Sequence, residues 1–248
     1  MDRELIDLFL LCFPEENEHS AAFTFEHILK EAQPFIKKIG NKIVSILFLN
    51  DVSIIANGQY DIYYLYAACT HPDYRNRGLM HGLMEEAKNH AIKRNKKGIL
   101  LKPANEGLFE FYKTAGFVPY FGYKSFEYTG KSCEHQYNKI TEAEDYFAFK
   151  RRLLNFGFVE LNPSLTTAML RMYQVYAGGN SLAVYEKHEH HLEIKEWFGE
   201  LDILDFVLQK EGMKKANVRT FASNNWFSCF WNNGLPEPPP LYHGIAFD

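Results

Sequence analysis

Residues 60–94, YDIYYLYAACTHPDYRNRGLMHGLMEEAKNHAIKR, constrain the fold more than any other stretch of the chain. The first ten are rich in aromatic and small apolar side chains, the composition of a β-strand ending near Thr70. Pro72 has no N–H to donate to a ladder, so the strand stops there. From Gly78 onward, Leu79, Met80, Leu83, Met84, Ala87 and Ala91 recur at steps of three and four, the stripe of an amphipathic helix with one buried face. The unit is strand, turn, helix. The first N–H groups of a helix lack partners and carry the positive end of its dipole, and Arg75 and Arg77 stand just ahead of them. Gly78, without a Cβ, lets a bulky group approach the backbone. The arrangement predicts a seat for an anion such as a phosphate.

With 248 residues, 46% hydrophobic and 16% aromatic, the chain can bury a core as one large domain or two small ones. A net charge of −4 gives no overall basicity to draw it onto nucleic acid or an anionic membrane. The densest basic cluster, KRNKK at 93–97, closes the helix just described, where cations complement the dipole. No apolar run approaches the roughly 20 residues of a membrane span. The opening MDRELIDLFLLCFPEE is acidic where a secretory signal is basic, so a cytoplasmic location is expected. Cys12, Cys69, Cys133 and Cys229 are far apart, which predicts reduced thiols and neither a zinc knuckle nor a disulfide framework.

Along the first half the pattern predicts helices at about 2–12 and 24–33, a hairpin of strands at 35–39 and 42–50, the strand at 60–69 and the helix at 78–95. A buried strand over 98–105, a short helix over 107–116 closed by Gly116, and further strand over 117–128 complete it. The second half repeats the order. TEAE at 141–144 has the form of a capping box. Asn162 and Pro163 open a helix that stops at Gly178 and Gly179. SLAVYE and HLEIKEWF form a hairpin whose turn holds KHEHH (187–191), a solvated turn in preference to a metal site. ELDILDFVLQKEG forms a helix and ANVRTFAS a strand. The twice-repeated order suggests an internal duplication of architecture. The two halves expected are 1–129 and 130–248. Where the first copy has RNRG before its helix, the second has Glu200, Asp202 and Asp205, carboxylates that suit a helix start but repel a phosphate. Only the first half should hold an anionic cofactor. PEPPP at 236–240 reads as a stiff connector to a last strand.

Residues 60–117 resemble the core of the GNAT superfamily of N-acetyltransferases, whose coenzyme A loop has the pattern [RQ]-x-x-G-x-[GA] between a strand and a helix. Arg75, Gly78 and Met80 occupy its three defined positions, Met80 standing where glycine or alanine is usual. Its side chain is expected to crowd the pyrophosphate without abolishing binding. A second family pattern, N-x-x-A-x-x-x-Y-x-x-x-G-F, is matched by NEGLFEFYKTAGF, with Asn105, Tyr112, Gly116 and Phe117 in register and Leu108 replacing the alanine. Two motifs in order are more specific than either alone. ACTHPDYRNRGLM, CFPE after a first helix and the added C-terminal half are similar to the enhanced-intracellular-survival branch of the superfamily.

The resemblance implies an α/β (α+β) fold, a mixed central sheet flanked by helices, followed by a second, smaller half of the same kind that shapes the acceptor site. It implies acetyl-CoA as co-substrate, lying where the strands ending near Thr70 and Asn105 splay apart, and no metal. Backbone groups near Cys69 and Thr70 would bond the pantetheine arm. The N–H groups of Arg77, Gly78, Leu79 and Met80 would take the pyrophosphate on the loop that also carries Arg75 and Asn76. Asn105 would contact the cofactor, cap the next helix, or both. Tyr112 is the candidate general acid, since the departing thiolate needs a proton or a hydrogen bond; as part of the stripe Leu108, Phe111, Tyr112, Ala115 it also reads as a core aromatic. No motif marks the base that deprotonates the amine. His71 is one candidate. In the survival branch a C-terminal carboxylate serves, which here would be that of Asp248, on a tail, LYHGIAFD, apolar enough to dock as a strand.

The leading expectation is acetyl transfer to a primary amine of a small molecule or peptide, without nucleic acid or membrane partners. The alternative is a non-catalytic acyl-CoA-binding sensor. The acceptor and the oligomeric state are not readable from the residues.

Overall fold

The computed structural model describes residues 3–236 and 242–245, those of 221–226 by backbone only. The chain divides into two compact units. The first comprises residues 3–54, 58–120 and 228–236, the second 55–57, 121–227 and 242–245.

In the first unit, helices α1 (Arg3–Cys12) and α2 (Glu18–Phe23) lead into strands β1 (Gln33–Ile39), β2 (Lys42–Ala56) and β3 (Gly58–Thr70). Helix α3 (Leu79–Lys93), strand β4 (Gly98–Leu101), helix α4 (Leu108–Thr114) and the start of strand β5 (Val118–Thr129), whose residues from 121 on belong to the second unit, follow. β1 and β2 form the expected hairpin, and β3 pairs with β4 in parallel. Every residue from Ile43 to Asn50 is buried, as in a strand covered on both faces. The stripe on α3 does what its spacing predicts, burying Leu83, Met84, Ala87 and Ala91 against Leu47, Tyr63, Leu65 and Ile99 of the sheet. Each fully buried leucine there contributes about 1.5–3 kcal/mol.

The second unit contains β6 (Asn138–Lys139), α5 (Ala143–Leu153), β7 (Phe158–Leu161), α6 (Pro163–Met172), β8 (Gln174–Gly178), β9 (Ser181–Lys187), β10 (Leu192–Phe198), α7 (Asp202–Glu211) and β11 (Lys215–Asn232) as far as residue 227, the rest of that strand belonging to the first unit. β8, β9 and β10 form an antiparallel meander, and α7 lays Ile203, Leu204, Val207 and Leu208 on it, a second copy of the α3-on-sheet arrangement. Asn162 caps α6 through Leu165 N–H at 2.8 Å, with Pro163 in its first turn. KHEHH makes the β9–β10 turn, where the rings of His188 and His191 stack at 5.0 Å.

The structure departs from the sequence reading in several places. Residues 24–33 hold no regular helix: α2 begins earlier, capped by a reciprocal Asn17–Ser20 box, and runs into a π-helical turn, Thr24–Ile28. The capping box proposed for Thr141 is absent. α5 starts from Glu142 with no side-chain cap, and the Thr141 hydroxyl turns to Glu142 Oε1 instead. β4 ends at Leu101, four residues short of Asn105. β11 is far longer than ANVRTFAS. Its residues 216–218 run parallel to β10, and its residues 229–232 pair antiparallel with β4. That return is why the first unit is not a contiguous stretch ending at 129: the partner of β4's edge comes from more than a hundred residues downstream. Among the described residues of the tail, Tyr242 pairs with Phe158 in one parallel bridge; the residues of LYHGIAFD other than 242–245 lie outside the described residues. Most of PEPPP lies outside the described residues.

Candidate active site

β3 keeps its pairing with β4 only to Leu65↔Leu101, yet continues to Thr70. Just past the last pair, Ala67 adopts φ +53° inside the strand and is buried. A non-glycine residue held there costs on the order of 1 kcal/mol or more and persists only where surrounding packing enforces it. The kink separates the residues of β3 that pair with β4 from the strand's last residues, Cys69 and Thr70, which run on past the end of β4. Ala67 was missed from the sequence; the adjacent small pair Ala67–Ala68 in an otherwise aromatic strand was the available signal. The Cys69 and Thr70 carbonyls each already accept one bond, from the Ser45 hydroxyl at 3.1 Å and from Arg75 Nε at 3.1 Å. Arg75 therefore braces the strand end through its side-chain Nε.

The loop itself is a 3-10 turn, Pro72–Tyr74, followed by two left-handed residues, Asn76 at φ +60° and Gly78 at φ +72°. A Cβ at Gly78 would meet open space, so glycine is required there by conformation and not by crowding. α3 begins at Leu79 with no side-chain cap and no acidic residue in its first turn. Among the described residues, no acceptor is bonded to the N–H groups of Arg77, Gly78, Leu79 or Met80. The Met80 side chain, in the first turn of α3, is partly buried against the core cluster. Arg77 stacks over the Tyr74 ring at 5.0 Å and donates to the Asp73 carbonyl at 3.0 Å. A row of unpaired amides at a positive helix end, bordered by guanidinium groups, suits a diphosphate.

Tyr112 is buried on α4 between Phe111 and Phe117. Its hydroxyl makes no hydrogen bond among the described residues. Burial, and then the neighbouring thiols of Cys229 and Cys69, push its pKa well above 10. It is a core aromatic and an available donor at once, so the two readings of its stripe are compatible. Asn105 is exposed and closes its turn by accepting Leu108 N–H on its backbone carbonyl at 3.2 Å; α4 has no side-chain cap. At His71, Lys42 Nζ lies 2.9 Å from Nε2, and Asp73 N–H points at Nδ1 from 3.3 Å. The neighbouring Cys69 thiol holds the Cys12 thiol below its ordinary value, and Cys12, together with burial, pushes the Cys69 thiol well above it. Asp248 lies outside the described residues. Among the described residues no three His, Cys, Asp or Glu side chains come together as a metal site, and no helix is long and apolar enough to cross a membrane.

Residues 3–119 match the acetyltransferase (GNAT) domain family. The first half of this chain is a GNAT acetyltransferase domain. The likeness in fold continues through the second half. A GCN5-related N-acetyltransferase from Kribbella flavida superposes with a TM-score of 0.70 at 12% identity, covering 92% of this chain and 67% of that one. Eis1 from Mycobacterium abscessus gives 0.67 at 8% identity, covering 93% and 70%. A tandem GNAT protein from the clavulanic acid biosynthesis pathway gives 0.54 at 12% identity and covers 95% of both chains. At such identities the likeness is one of fold, and a tandem GNAT architecture accounts for the repeated order of elements. No curated protein matches the sequence.

Proposed function

We propose that this protein transfers the acetyl group of acetyl-CoA to a primary amine of a small molecule or peptide, with Tyr112 as general acid. The observation that carries the reading is the uncapped start of α3, whose unpaired amides sit on the same unit as the kinked end of β3 and the unpartnered Tyr112 hydroxyl. Acetyl-CoA supplies the acetyl group as a thioester. The amides of Arg77, Gly78, Leu79 and Met80 would hold the diphosphate, and the backbone of Ala67–Thr70 the pantetheine arm, as in strand addition. Tyr112 would donate to the thioester sulfur as negative charge builds there. A thiol ionises near about 8.5 and an ordinary phenol near about 10. Since burial raises Tyr112 further, its contribution lies in the strengthening hydrogen bond and needs no completed proton transfer. A carboxylate of Asp248 is proposed to take the proton of the attacking amine. A cytoplasmic site of action belongs to the same reading.

The test is thiol release from acetyl-CoA against a polyamine, an aminoglycoside and a lysyl peptide, with acetyl-CoA binding followed by calorimetry. Tyr112→Phe is expected to lower turnover by about 10²-fold or more while leaving affinity unchanged. Removing Asp248 is expected to abolish turnover and spare binding; an active truncated enzyme removes that assignment. Tight binding with no turnover on any amine, unchanged in Tyr112→Phe, would instead favour an acyl-CoA sensor.

A further inference from the structure

The kink at Ala67 decides which face of the sheet the thiol of Cys69 meets. Side chains alternate between the two faces of a strand. On β2 and β3, Leu47, Leu49, Tyr63 and Leu65 pack in the cluster under α3. Continued from Leu65, that alternation would place Ala67 and Cys69 on the same face. Instead Ala68 packs against the cluster, and the Thr70 hydroxyl meets at 2.8 Å that of Ser45, which stands two residues before Leu47. The left-handed Ala67 has taken one position out of the alternation, and Cys69 is turned to the opposite face.

That face carries α1. Phe9 of α1 meets Phe25 at 5.6 Å, and Phe25 meets Phe48, which alternates with Leu47 and Leu49, at 5.9 Å. The helix packs against β3. Cys12, its last residue, stands three positions after Phe9 and so on the same side of the helix. The fold thereby brings together two thiols that lie far apart in sequence, Cys12 half-buried and Cys69 buried. Arg75, which bonds the Thr70 carbonyl, lies near enough for its charge to act on Cys12. Cys69, and then that charge, hold the Cys12 thiol low, whereas Cys12 and burial hold Cys69 high. The pair is unequal: Cys12 is the nucleophile and Cys69 the thiol that keeps its proton.

We propose that Cys12 and Cys69 form a dithiol site that a peroxide converts to a disulfide, and that the disulfide weakens acetyl-CoA binding. The Cys12 thiolate attacks one oxygen of hydrogen peroxide. An S–O bond forms, the O–O bond breaks, and the released hydroxide takes up a proton to become water, leaving Cys12 as a sulfenic acid. The Cys69 sulfur then attacks the Cys12 sulfur. The S–S bond forms, the S–O bond breaks, and the hydroxyl leaves with the Cys69 proton as a second water. The two thiols are oxidised by two electrons, and the peroxide is reduced to two waters. Because Cys12 ends α1, the bond ties that helix to the end of β3. It fixes Cys69 within the segment whose backbone is proposed to take the pantetheine arm. The effect on binding rests on that reading; the disulfide does not.

The experiment exposes the reduced parent chain, Cys12→Ser and Cys69→Ser to hydrogen peroxide, alkylates them in denaturant and maps their peptides by mass without reduction. Acetyl-CoA affinity is measured by calorimetry before and after the peroxide. In the parent, the peptides of Cys12 and Cys69 are expected to appear joined and lighter by two hydrogens, with Cys133 and Cys229 still alkylated. Cys69→Ser should stop at the sulfenic acid, captured on Cys12 by dimedone, and Cys12→Ser should leave Cys69 open to alkylation. The oxidised parent should bind acetyl-CoA at least about tenfold more weakly, with affinity restored by dithiothreitol, and Cys12→Ser treated alike should show no such fall. Absence of the joined peptide, or pairing of either thiol with Cys133 or Cys229, would overturn the site. A disulfide formed with affinity unchanged would overturn the control of binding. A reduced parent that binds no acetyl-CoA would overturn the proposed function and that control with it, while the disulfide is read from the peptide masses alone.

Discussion

The starts of α3 and α7 are the same place in two copies of one architecture, and they are finished in opposite ways. α3 opens from a left-handed glycine with no capping side chain, no acidic residue in its first turn and unpaired amides. α7 has Asp202 and Asp205 in its first turn, and the chain's own groups gather on them. Asp205 Oδ1 accepts from the Tyr128 hydroxyl at 2.9 Å and from Lys131 N–H at 2.7 Å, and Asp202 Oδ2 lies 2.8 Å from His135 Nδ1. Cys133 adds bonds to the Asp202 carbonyl at 3.4 Å and to Gln209 Oε1 at 2.9 Å. A helix end either keeps its field for a ligand or spends it on internal carboxylates, and this chain does one in each half.

The sharpest way to break the contrast is to close α3 as α7 is closed. Gly78→Asp places a carboxylate at a helix N-cap, where it competes for the free amides and repels a diphosphate, and adds about 1–2 kcal/mol of left-handed strain. Acetyl-CoA affinity is expected to fall at least about 100-fold by calorimetry; retained affinity would mean the cofactor does not sit on α3. The converse change acts on stability alone. Asp205→Ala strips an acceptor from Tyr128 and Lys131, at a cost of about 1.5–3 kcal/mol seen in denaturant unfolding, with acetyl-CoA affinity unaltered.

These expectations show which parts of the molecule were readable beforehand. The loop at 72–78 and the stripe on α3 depend on neighbours within a few residues, and the structure has them where the residues place them. The acidic start of α7 was legible as an unfavourable phosphate site for the same reason, though not the segment that covers it, since Tyr128, Lys131 and Cys133 approach from some 70 residues away. The kink at Ala67 was not legible because alanine has no preference for the left-handed region, and only packing imposes it. Arg75 was legible as part of the loop but not as a brace for Thr70, since sequence gives a guanidinium's position and not its direction.

Two finer tests remain for the comparison. Asp202→Asn/Asp205→Asn removes the repelling charge from α7 but not the segment over it, so acetyl-CoA should still bind at one equivalent per chain. A second equivalent would show that charge alone silenced the second half. The smallest effect concerns alkaline pH. Burial, and then the hydrogen bond to Asp205, push the Tyr128 phenol up to about 12. A folded-state pKa raised above the unfolded value of about 10 gives stability that is complete below pH 10 and drains away as pH rises toward 12. Thermal unfolding between pH 9 and 11.5 should therefore show a steeper fall for the parent than for Tyr128→Phe.

The return of β11 to β4 has a consequence for how the acetyltransferase half comes into being. β4 lies between β3 on one side and residues 229–232 on the other. During synthesis the strand Gly98–Leu101 is made early, and its antiparallel neighbour emerges more than a hundred residues later. Until then one edge of β4 stays open, with unpaired amides and carbonyls available to any other extended chain. A fragment cut at the end of the family match would be frozen in that unfinished state, so the catalytic half should be produced with its distant closing strand, or with that strand grafted back onto it.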